Sequence, residues 1–423
     1  MTAAAAAATA AAAPRLPAPW TAALASAVSL AVAMGIGRFA FTPLLPMMLA
    51  EGSVDLHAAS WLASANYLGY LVGAVLCTMQ PWLVARVPAL AVLEGPRMVR
   101  AGLAATALLT LAMAAPWPVA WPAWRFLAGI ASAYVFVHTS GWCLAVLARQ
   151  GATRLGGAMY TGPGAGIVVS GLVAGALVAA GQSASTGWLV FGAMACVLSF
   201  AVWHVFSTRR APGTAAGGVA SSASSSGSAH GPLEIATLAF AYGLAGLGYI
   251  VTATFLPVIA RIALPGSPWI DLFWPVFGGG VVIGALLSTR LRLSGDLRWL
   301  LAGAYLMQAA GIALGACWPT ATGFALGSVL LGLPFTAITF FAMQEVRIVR
   351  PQRIASTMGL LTALYGIGQI VGPPLVAVVL RHSASTAQGF DIALGIAAGA
   401  LVFGALLYAL LARMTSKRTC ANA

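Results

Sequence analysis

The segment Ser207–Pro232, STRRAPGTAAGGVASSASSSGSAHGP, decides the fold because it interrupts an otherwise strongly apolar chain. Its serine-, glycine- and alanine-rich composition is typical of a linker that cannot bury a core. On each side of it lie six apolar stretches, each able to supply the ~20 residues that a helix needs to cross a bilayer. The pattern predicts an all-α polytopic membrane protein with twelve transmembrane helices, arranged as two pseudo-symmetric six-helix bundles.

The predicted boundaries follow the apolar stretches in each half. The first half contains Trp20–Leu49, Ala58–Met79, Met98–Ala115, Trp121–Leu147, Ala158–Ala180 and Trp188–Phe206. The second half contains Glu234–Ala260, Trp269–Leu291, Trp299–Cys317, Thr320–Val346, Thr357–Leu380 and Phe390–Ala412. The predicted domains are a disordered cytoplasmic tail, a first bundle, a cytoplasmic linker, a second bundle and a second cytoplasmic tail: residues 1–19, 20–206, 207–232, 233–412 and 413–423.

The composition excludes a soluble protein. Hydrophobic residues make up 61% of the chain and charged residues 7%, and the mean hydropathy is +0.94. The five cysteines are far apart with no metal-binding spacing, and no glycine–lysine–threonine nucleotide loop occurs. We therefore expect no metal, no cofactor and no ATP-driven pumping by this chain alone. No nucleophile–base pair stands out, so we do not expect an enzyme.

The net charge of +13 would suggest nucleic-acid binding in a soluble protein, but here the basic residues follow a membrane topology. If the N-terminus is cytoplasmic, only Arg261 and Arg381 fall in outer loops, and Arg38 and Arg125 fall within spans. The inner loops and tails hold the other 17 of the 21 basic residues: Arg15, Arg86, Arg97, Arg100, Arg149, Arg154, Arg209, Arg210, Arg290, Arg292, Arg298, Arg347, Arg350, Arg353, Arg413, Lys417 and Arg418. This asymmetry follows the positive-inside rule and predicts a bacterial inner-membrane protein with both termini in the cytoplasm. The basic patch then contacts lipid headgroups, not nucleic acid.

Similar short strings occur at similar depths in the two halves. Gly73–Leu76 (GAVL) in the second span matches Gly284–Leu287 (GALL) in the eighth, and Gly164–Gly166 (GAG) in the fifth matches Gly366–Gly368 (GIG) in the eleventh. Each match alone is weak, because small residues occur wherever membrane helices pack closely. Their shared order indicates two parallel repeats related by an axis along the membrane normal.

Four segments resemble the major facilitator superfamily. Arg125–Gly129 (RFLAG) is similar to its arginine-x-x-x-glycine motif in the fourth helix, and Gly162–Gly166 (GPGAG) to its glycine-proline-x-x-glycine motif in the fifth. Met34–Pro46 (MGIGRFAFTPLLP) and Trp61–Tyr70 (WLASANYLGY) resemble the YbfB/YjiJ branch. The resemblance implies the major facilitator fold and secondary transport. The predicted helix-packing or hinge residues are Gly35, Gly37, Pro43, Gly129, Gly162, Pro163, Gly166, Gly372 and Pro373.

Two motifs depart from the superfamily pattern. The usual aspartate after the second helix is replaced by Cys77, and the equivalent position in the second half is Ser288. This departure puts the usual charged latch at the inner face of the first half in doubt. The paired glycine that ends the fifth-helix motif is Ile167. An incomplete motif of this kind resembles that of exporters and slightly favours efflux.

Arg38 is the strongest candidate for substrate binding. It lies in the middle or outer half of the first span, where a charge costs at least ~2.5–3.5 kcal/mol. Gly35 and Gly37 leave room for a ligand, and Pro43 frees backbone carbonyls nearby. The side chain either binds an anion in a central cavity, the interpretation we favour, or pins helix ends through their carbonyls.

Arg125 lies one turn into the fourth span, near the outer boundary. Its side chain could snorkel to water, or it could act in proton coupling or cavity electrostatics, as the resemblance implies. Its depth is comparable to that of Arg38, so the two arginines could bind one substrate carboxylate together.

No acidic residue lies deep in a span, so a carboxylate proton carrier is missing. His138 is a weak candidate for coupling, and a packed, hydrogen-bonded histidine is the alternative that we favour. Polar and aromatic residues in other spans complete the predicted substrate site: Asn66, Tyr67, Tyr242, Tyr249, Gln308, Tyr365 and Gln369. Tryptophans near span ends are predicted to be interfacial anchors: Trp82, Trp117, Trp121, Trp188, Trp269 and Trp318.

The sequence as a whole favours a monomeric secondary active transporter. Its predicted substrate is a small organic solute, anionic or amphipathic, that moves by alternating access, with protons as the candidate coupling ion. The alternative, from a different functional class, is a transporter-like membrane sensor or assembly subunit that binds a ligand without moving it. Solute flux into proteoliposomes distinguishes the two.

Overall fold

The computed structural model describes residues 16–87, 95–207, 231–288, 290, 296–350 and 353–421. The predicted linker lies outside these residues except at its ends, and so do residues 1–15 of the predicted N-terminal tail. The first half contains α1 (Pro19–Leu30), a π-helical segment (Ala31–Ile36), α2 (Phe41–Ala50), α3 (Leu56–Arg86), α4 (Gly95–Ala112), α5 (Trp121–Arg149), α6 (Gly156–Met159), α7 (Gly162–Ala179) and α8 (Ala184–Trp203). The second half contains α9 (Pro232–Ala263), α10 (Phe273–Ser288), α11 (Leu297–Cys317), α12 (Ala321–Val349), α13 (Ile354–His382) and α14 (Thr386–Ala421).

Eleven segments of the described chain are long and apolar enough to cross a membrane. The predicted third span corresponds to α4, which begins and ends three residues earlier than predicted. It is not among the eleven, because Arg97 and Arg100 in its first turns lower its mean hydropathy. Together, the eleven segments and α4 correspond one to one to the twelve predicted spans. The described residues contain no β-strand, which confirms the all-α fold.

Capping side chains or a proline in the first turn mark the starts of three helices. The Ser183 hydroxyl accepts a hydrogen bond from the Thr186 N–H at the start of α8 (3.2 Å), and Thr320 does the same for Gly323 at the start of α12 (3.1 Å). Pro232 occupies the first turn of α9, where its missing N–H leaves no intrahelical bond unmade.

The two halves repeat one neighbour pattern. In the first half α3 and α4 both pack on α5, and α4 packs on α8; in the second half α10 and α11 both pack on α12, and α11 packs on α14. The halves meet through α7 against α10, α3 against α13, and α2 against α9. The first two contacts exchange equivalent helices, as expected for two repeats related by an axis along the membrane normal.

We call the end with residues 51–55 and 383–385 the outer end, following the orientation predicted from the arginine asymmetry. The first span is not the continuous helix expected over Trp20–Leu49. A π-helical segment at Ala31–Ile36 and a turn over residues 37–40 interrupt it before Pro43 is reached. Pro43 lies in the first turn of α2, where it breaks no hydrogen bond. The interruption of the first span therefore does not arise at Pro43.

Two of the six predicted anchor tryptophans are core residues. Trp121 and Trp188 are 6% and 2% exposed, so their assignment to the interface is wrong. Trp188 lies in the second turn of α8 and packs in the core of the first half, and Trp121 donates its indole N–H to the Ala115 carbonyl (3.0 Å). The other four are about half exposed or more, as an interfacial position requires: Trp82, Trp117, Trp269 and Trp318.

A buried charge network joins the inner ends of four helices in the second half. Arg298 of α11 donates to Glu345 of α12 and to Glu234 of α9, both at 2.6 Å. It also donates to the backbone carbonyl of Leu411 in α14 (3.0 Å). Arg298 is 2% exposed, so these bonds satisfy a guanidinium that water does not reach.

Candidate functional site

Arg38 lies in the turn that interrupts the first span, at the junction of the two halves. It is 2% exposed, and its Nη2 donates to the Oε1 of Gln369 on α13. The rings of Tyr70 and Tyr67, both on α3, lie 4.4 and 5.0 Å from its Cζ atom. The Arg38 guanidinium thus contacts one carboxamide and two tyrosine rings, whose faces attract a cation.

The charge of Arg38 has no acidic counter-ion in the described part of the chain. None of the acidic residues in this part forms an ion pair with it, and its Nε atom is buried without a hydrogen-bond partner. A buried cation that keeps an open donor is suited to binding an anion, because the anion supplies both the missing charge and the missing acceptor.

Gln369 connects Arg38 to a row of stacked tyrosines in the second half. Its Nε2 donates to the Tyr249 hydroxyl (2.5 Å). The Tyr365 ring stacks between Tyr249 and Tyr242, with centroid separations of 5.8 and 4.8 Å. The Tyr242 hydroxyl in turn donates to the hydroxyl of Thr339 (3.1 Å). The predicted residues Tyr67, Tyr242, Tyr249, Tyr365 and Gln369 therefore form one cluster with Arg38.

Arg125 has different surroundings from those predicted. It is 2% exposed and does not snorkel, because its Nη1 and Nη2 donate to the backbone carbonyls of Gly37 (3.2 Å) and Arg38 (3.1 Å). Its Cζ lies 5.0 Å from the Phe41 ring. Arg125 thus holds the turn that carries Arg38, which is the pinning role that the sequence left open for Arg38 itself.

Asn66 supports this turn indirectly, through the backbone of Arg125. Its Nδ2 donates to the backbone carbonyl of Arg125 (2.9 Å), and it is fully buried. A Cβ atom at Gly129 would overlap the Asn66 carbonyl, so glycine at this position allows α3 and α5 to approach closely.

The other predicted glycines and prolines lie at close helix contacts or inside helices. A Cβ at Gly35 would overlap Gly166, one at Gly162 would overlap the Ala27 carbonyl, and one at Gly37 would lie 2.5 Å from Thr106. Pro163 is in the first turn of α7. Gly372 packs against Ile250, next to Pro373 inside α13.

Two predicted site residues lie apart from this cluster. Gln308 is buried inside the second half, where its Nε2 donates to the Leu331 carbonyl (3.2 Å). His138 stacks on Tyr134 in the inner part of α5, with a centroid separation of 5.9 Å. Its Nε2 atom is buried without a partner in the described structure, so the hydrogen bond expected of a packed histidine is not formed there.

Contacts between the halves continue from Arg38 toward the outer end. Thr42 donates to the Ala253 carbonyl (2.9 Å), Ser64 donates to the Ile370 carbonyl (2.8 Å), and the Tyr67 hydroxyl is 2.9 Å from that of Thr254. At the outer rim, Nη2 of Arg381 lies 2.9 Å from a ring nitrogen of His57. Sequence reasoning missed Thr42, Ser64 and Thr254, because small hydroxyl residues in spans carry no signal that separates them from packing residues.

The described residues contain no group of three or more histidine, cysteine, aspartate or glutamate side chains that could hold a metal ion. The site therefore consists of one buried cation, a carboxamide and aromatic rings. These groups are suited to binding and orienting a ligand, and none of them forms an evident nucleophile–base pair.

Two bundles of six repeated helices that meet around a buried polar cluster define a membrane transport protein of the major facilitator type. Residues 30–409 match the family model MFS_4, described as uncharacterised MFS-type transporter YbfB, and the chain belongs to this family. It is a multi-pass membrane protein, and its family and fold indicate a transporter of a small molecule, not an enzyme.

A solved structure shows the same fold at low sequence identity. The chain is similar to the crystal structure of a mutant of the nucleoside transporter NupG, with a TM-score of 0.70 and 14% identity. The match covers 92% of this chain and 99% of that one. No curated protein sequence matches the chain.

Proposed function

We propose that this protein is a secondary active transporter that moves a small organic anion by alternating access and binds it at Arg38. The anion's charged group replaces the Gln369 carboxamide as the partner of the guanidinium, and its apolar body lies against the tyrosines. The observation that carries the proposal is that Arg38 is buried between the halves and has no acidic partner among the residues that the structure describes.

The position of Arg38 supports alternating access as well as binding. Its backbone belongs to the first half, whereas its hydrogen-bond partner Gln369 belongs to the second. A ligand that competes for this bond changes a contact between the two bodies that must rock against each other. Binding at Arg38 is therefore coupled to the separation of the halves.

The remaining parts of the proposal follow from the sequence. The protein is a monomer in the bacterial inner membrane with both termini in the cytoplasm, and reporter fusions at residues 210 and 423 test this topology. The incomplete fifth-helix motif favours export. His138 is the candidate proton carrier, since its unpaired ring nitrogen lies in the inner part of α5.

The test begins with ligand discovery on the purified protein. Thermal shifts are measured for carboxylates and for their neutral methyl esters, and the Arg38→Gln variant serves as the comparison. We expect some acids to stabilise the wild type, their esters to do so far less, and Arg38→Gln to lose the difference. Equal shifts for acids and esters would contradict anion binding.

A transported ligand must then exchange across proteoliposomes. Counterflow of the labelled acid is expected with the wild type and not with empty liposomes. Binding without counterflow would instead identify the runner-up class, a membrane sensor or assembly subunit.

A further inference from the structure

Three prolines lie inside α9 and α13, the helices of the second half that meet α2 and α3 of the first half. Pro257 lies in α9, and Pro374 follows Pro373 in α13. Proline has no N–H, so the carbonyl four residues earlier cannot accept its usual intrahelical hydrogen bond. The carbonyls affected are those of Ala253 for Pro257, Gln369 for Pro373 and Ile370 for Pro374. In a membrane protein such carbonyls need another donor, because lipid provides none.

Two of these three carbonyls, those of Ala253 and Ile370, receive a hydroxyl from the other half of the molecule. The Thr42 hydroxyl on α2 donates to Ala253 (2.9 Å), and the Ser64 hydroxyl on α3 donates to Ile370 (2.8 Å). Thr42 and Ser64 are 2% and 3% exposed, so water does not compete for these bonds. Two of the three carbonyls that proline leaves open are therefore used between the halves.

The neighbouring side chains reinforce each contact. Thr254, next to Ala253, meets the Tyr67 hydroxyl, and Gln369, next to Ile370, receives the Arg38 bond. Each turn that precedes a proline thus contributes one carbonyl and one side chain to the junction. Neither the carbonyl nor its donor would lose all its partners on separation, because water entering an opened outer cavity can solvate both.

We propose that Pro257 and Pro374 form a two-point latch that closes the outer end of the transporter, by leaving two carbonyls open for Thr42 and Ser64. The latch rests on the proposed alternating access. It adds to that proposal by identifying two contacts of the closed outer end as hydrogen bonds to carbonyls that proline leaves open. Separation of the halves breaks both bonds and exposes the carbonyls to water. An alanine at either proline restores an intrahelical donor that competes with the hydroxyl and weakens the latch.

The latch is tested by distance measurements between two spin labels at the outer end, one in each half. Labels are placed on cysteines introduced at Val119 and Ala387, both exposed, in a background without the five native cysteines. Pro257→Ala and Pro374→Ala are compared with Pro334→Ala as the matched control. Pro334 also lies inside a helix, but the residue whose carbonyl it frees, Leu330, packs against Gly311 in its own half.

We expect the wild type to show mainly the short distance that corresponds to a closed outer end. Each latch proline variant should raise the ratio of long to short distances about 2- to 10-fold, the effect of one net hydrogen bond. Pro334→Ala should leave the ratio unchanged. Thr42→Val and Ser64→Ala should shift it in the same direction as their prolines, and Thr42→Val should add little in the Pro257→Ala background.

Two outcomes would overturn the latch. One is a wild-type distance distribution in both latch proline variants while they still exchange solute in proteoliposomes. The other is an equal shift in Pro334→Ala. A population shift as expected, in a protein that shows no counterflow of any ligand it binds, would keep the latch and reject the transport function on which it rests.

Discussion

Arg38 and Arg125 show how the backbone that carries a residue decides what its charge can do. Both lie inside predicted spans at a comparable depth in the membrane, and both were predicted to bind substrate. Arg125 projects from a regular helix onto the carbonyls of an interrupted one, and this occupies both of its terminal nitrogens. Arg38 is in the interrupted segment itself, and its side chain reaches the other half. We therefore propose that Arg38 binds the solute and that Arg125 positions the turn that carries Arg38.

The first prediction concerns the charge and the shape of Arg38. Arg38→Gln should weaken binding of a transported acid about 10- to 100-fold, because a hydrogen bond to a charged group is lost. Arg38→Lys should lose less, since it keeps the charge but not the planar fork. Isothermal titration calorimetry or a thermal-shift titration measures both. Arg381→Gln, which removes an exposed arginine at the same junction, is the control and should bind as the wild type does.

Arg125 should behave differently from Arg38 in the same assays. Arg125→Ala leaves the carbonyls of Gly37 and Arg38 without their donors, so the apparent Tm should fall by several degrees. The preference for an acid over its methyl ester should remain in whatever protein folds, because Arg125 does not touch the ligand. A lost acid preference with an unchanged Tm would instead place Arg125 in the binding site, as the sequence first suggested.

At the scale of single helices, hydropathy predicted where spans lie but not where they break. Pro43 was among the predicted helix-packing or hinge residues, yet the first span is interrupted at Ala31–Ile36 and in the turn that follows. There Gly35 meets Gly166 of α7 so closely that no Cβ fits at either residue. Such a contact depends on a partner more than 100 residues away, so it carries no local signal beyond the presence of glycine.

The Arg298 network shows the same limit for charged residues. Arg298 was predicted to lie in an inner loop, and nothing in the sequence pairs it with Glu234 or Glu345. They lie 64 and 47 positions from Arg298 in the chain, and only the packing of four helices brings them together. The same applies to Trp188, which is buried near a helix start where an interfacial anchor is the usual role.

The network predicts a difference between buried and exposed arginines in stability. Arg298→Ala leaves two carboxylates buried without their guanidinium and should cost about 3–5 kcal/mol. Arg261→Ala removes an ion pair whose partners are 29% and 34% exposed, and should cost about 0–1 kcal/mol. Unfolding of the purified variants in detergent, followed by circular dichroism, measures both. Equal losses of stability would show that burial does not govern these pairs.

For the whole molecule, the internal repeat and the two-bundle division could be predicted, because short strings recur in order in both halves. Which end is closed could not, since it depends on single hydroxyl and carbonyl groups across the junction. Thr42, Ser64 and Tyr67 of the first half meet the second half between Arg38 and the outer end. In the proposed orientation, these contacts close the outer end, and such a closed state is one of the two that the proposed alternating access requires.

The proposed transport requires the halves to separate at the outer end each time a solute crosses. His57 and Arg381 face each other across the outer rim and are both exposed, so cysteines at these positions can be joined from outside. The measurement is counterflow of a bound acid in proteoliposomes containing the double variant His57→Cys/Arg381→Cys in a background without native cysteines. A short bifunctional methanethiosulfonate reagent links the cysteines, and dithiothreitol removes the link. Each single-cysteine variant with the same reagent is the control.

If the halves must separate at the outer end, linking should abolish counterflow in the double variant and dithiothreitol should restore it. The single variants should keep their flux. Ligand binding from the inner side should survive the link, because Arg38 and its tyrosines are not altered. Undiminished counterflow in fully linked protein would contradict the proposed alternating access, since solute would then cross without separation of the halves at the outer end.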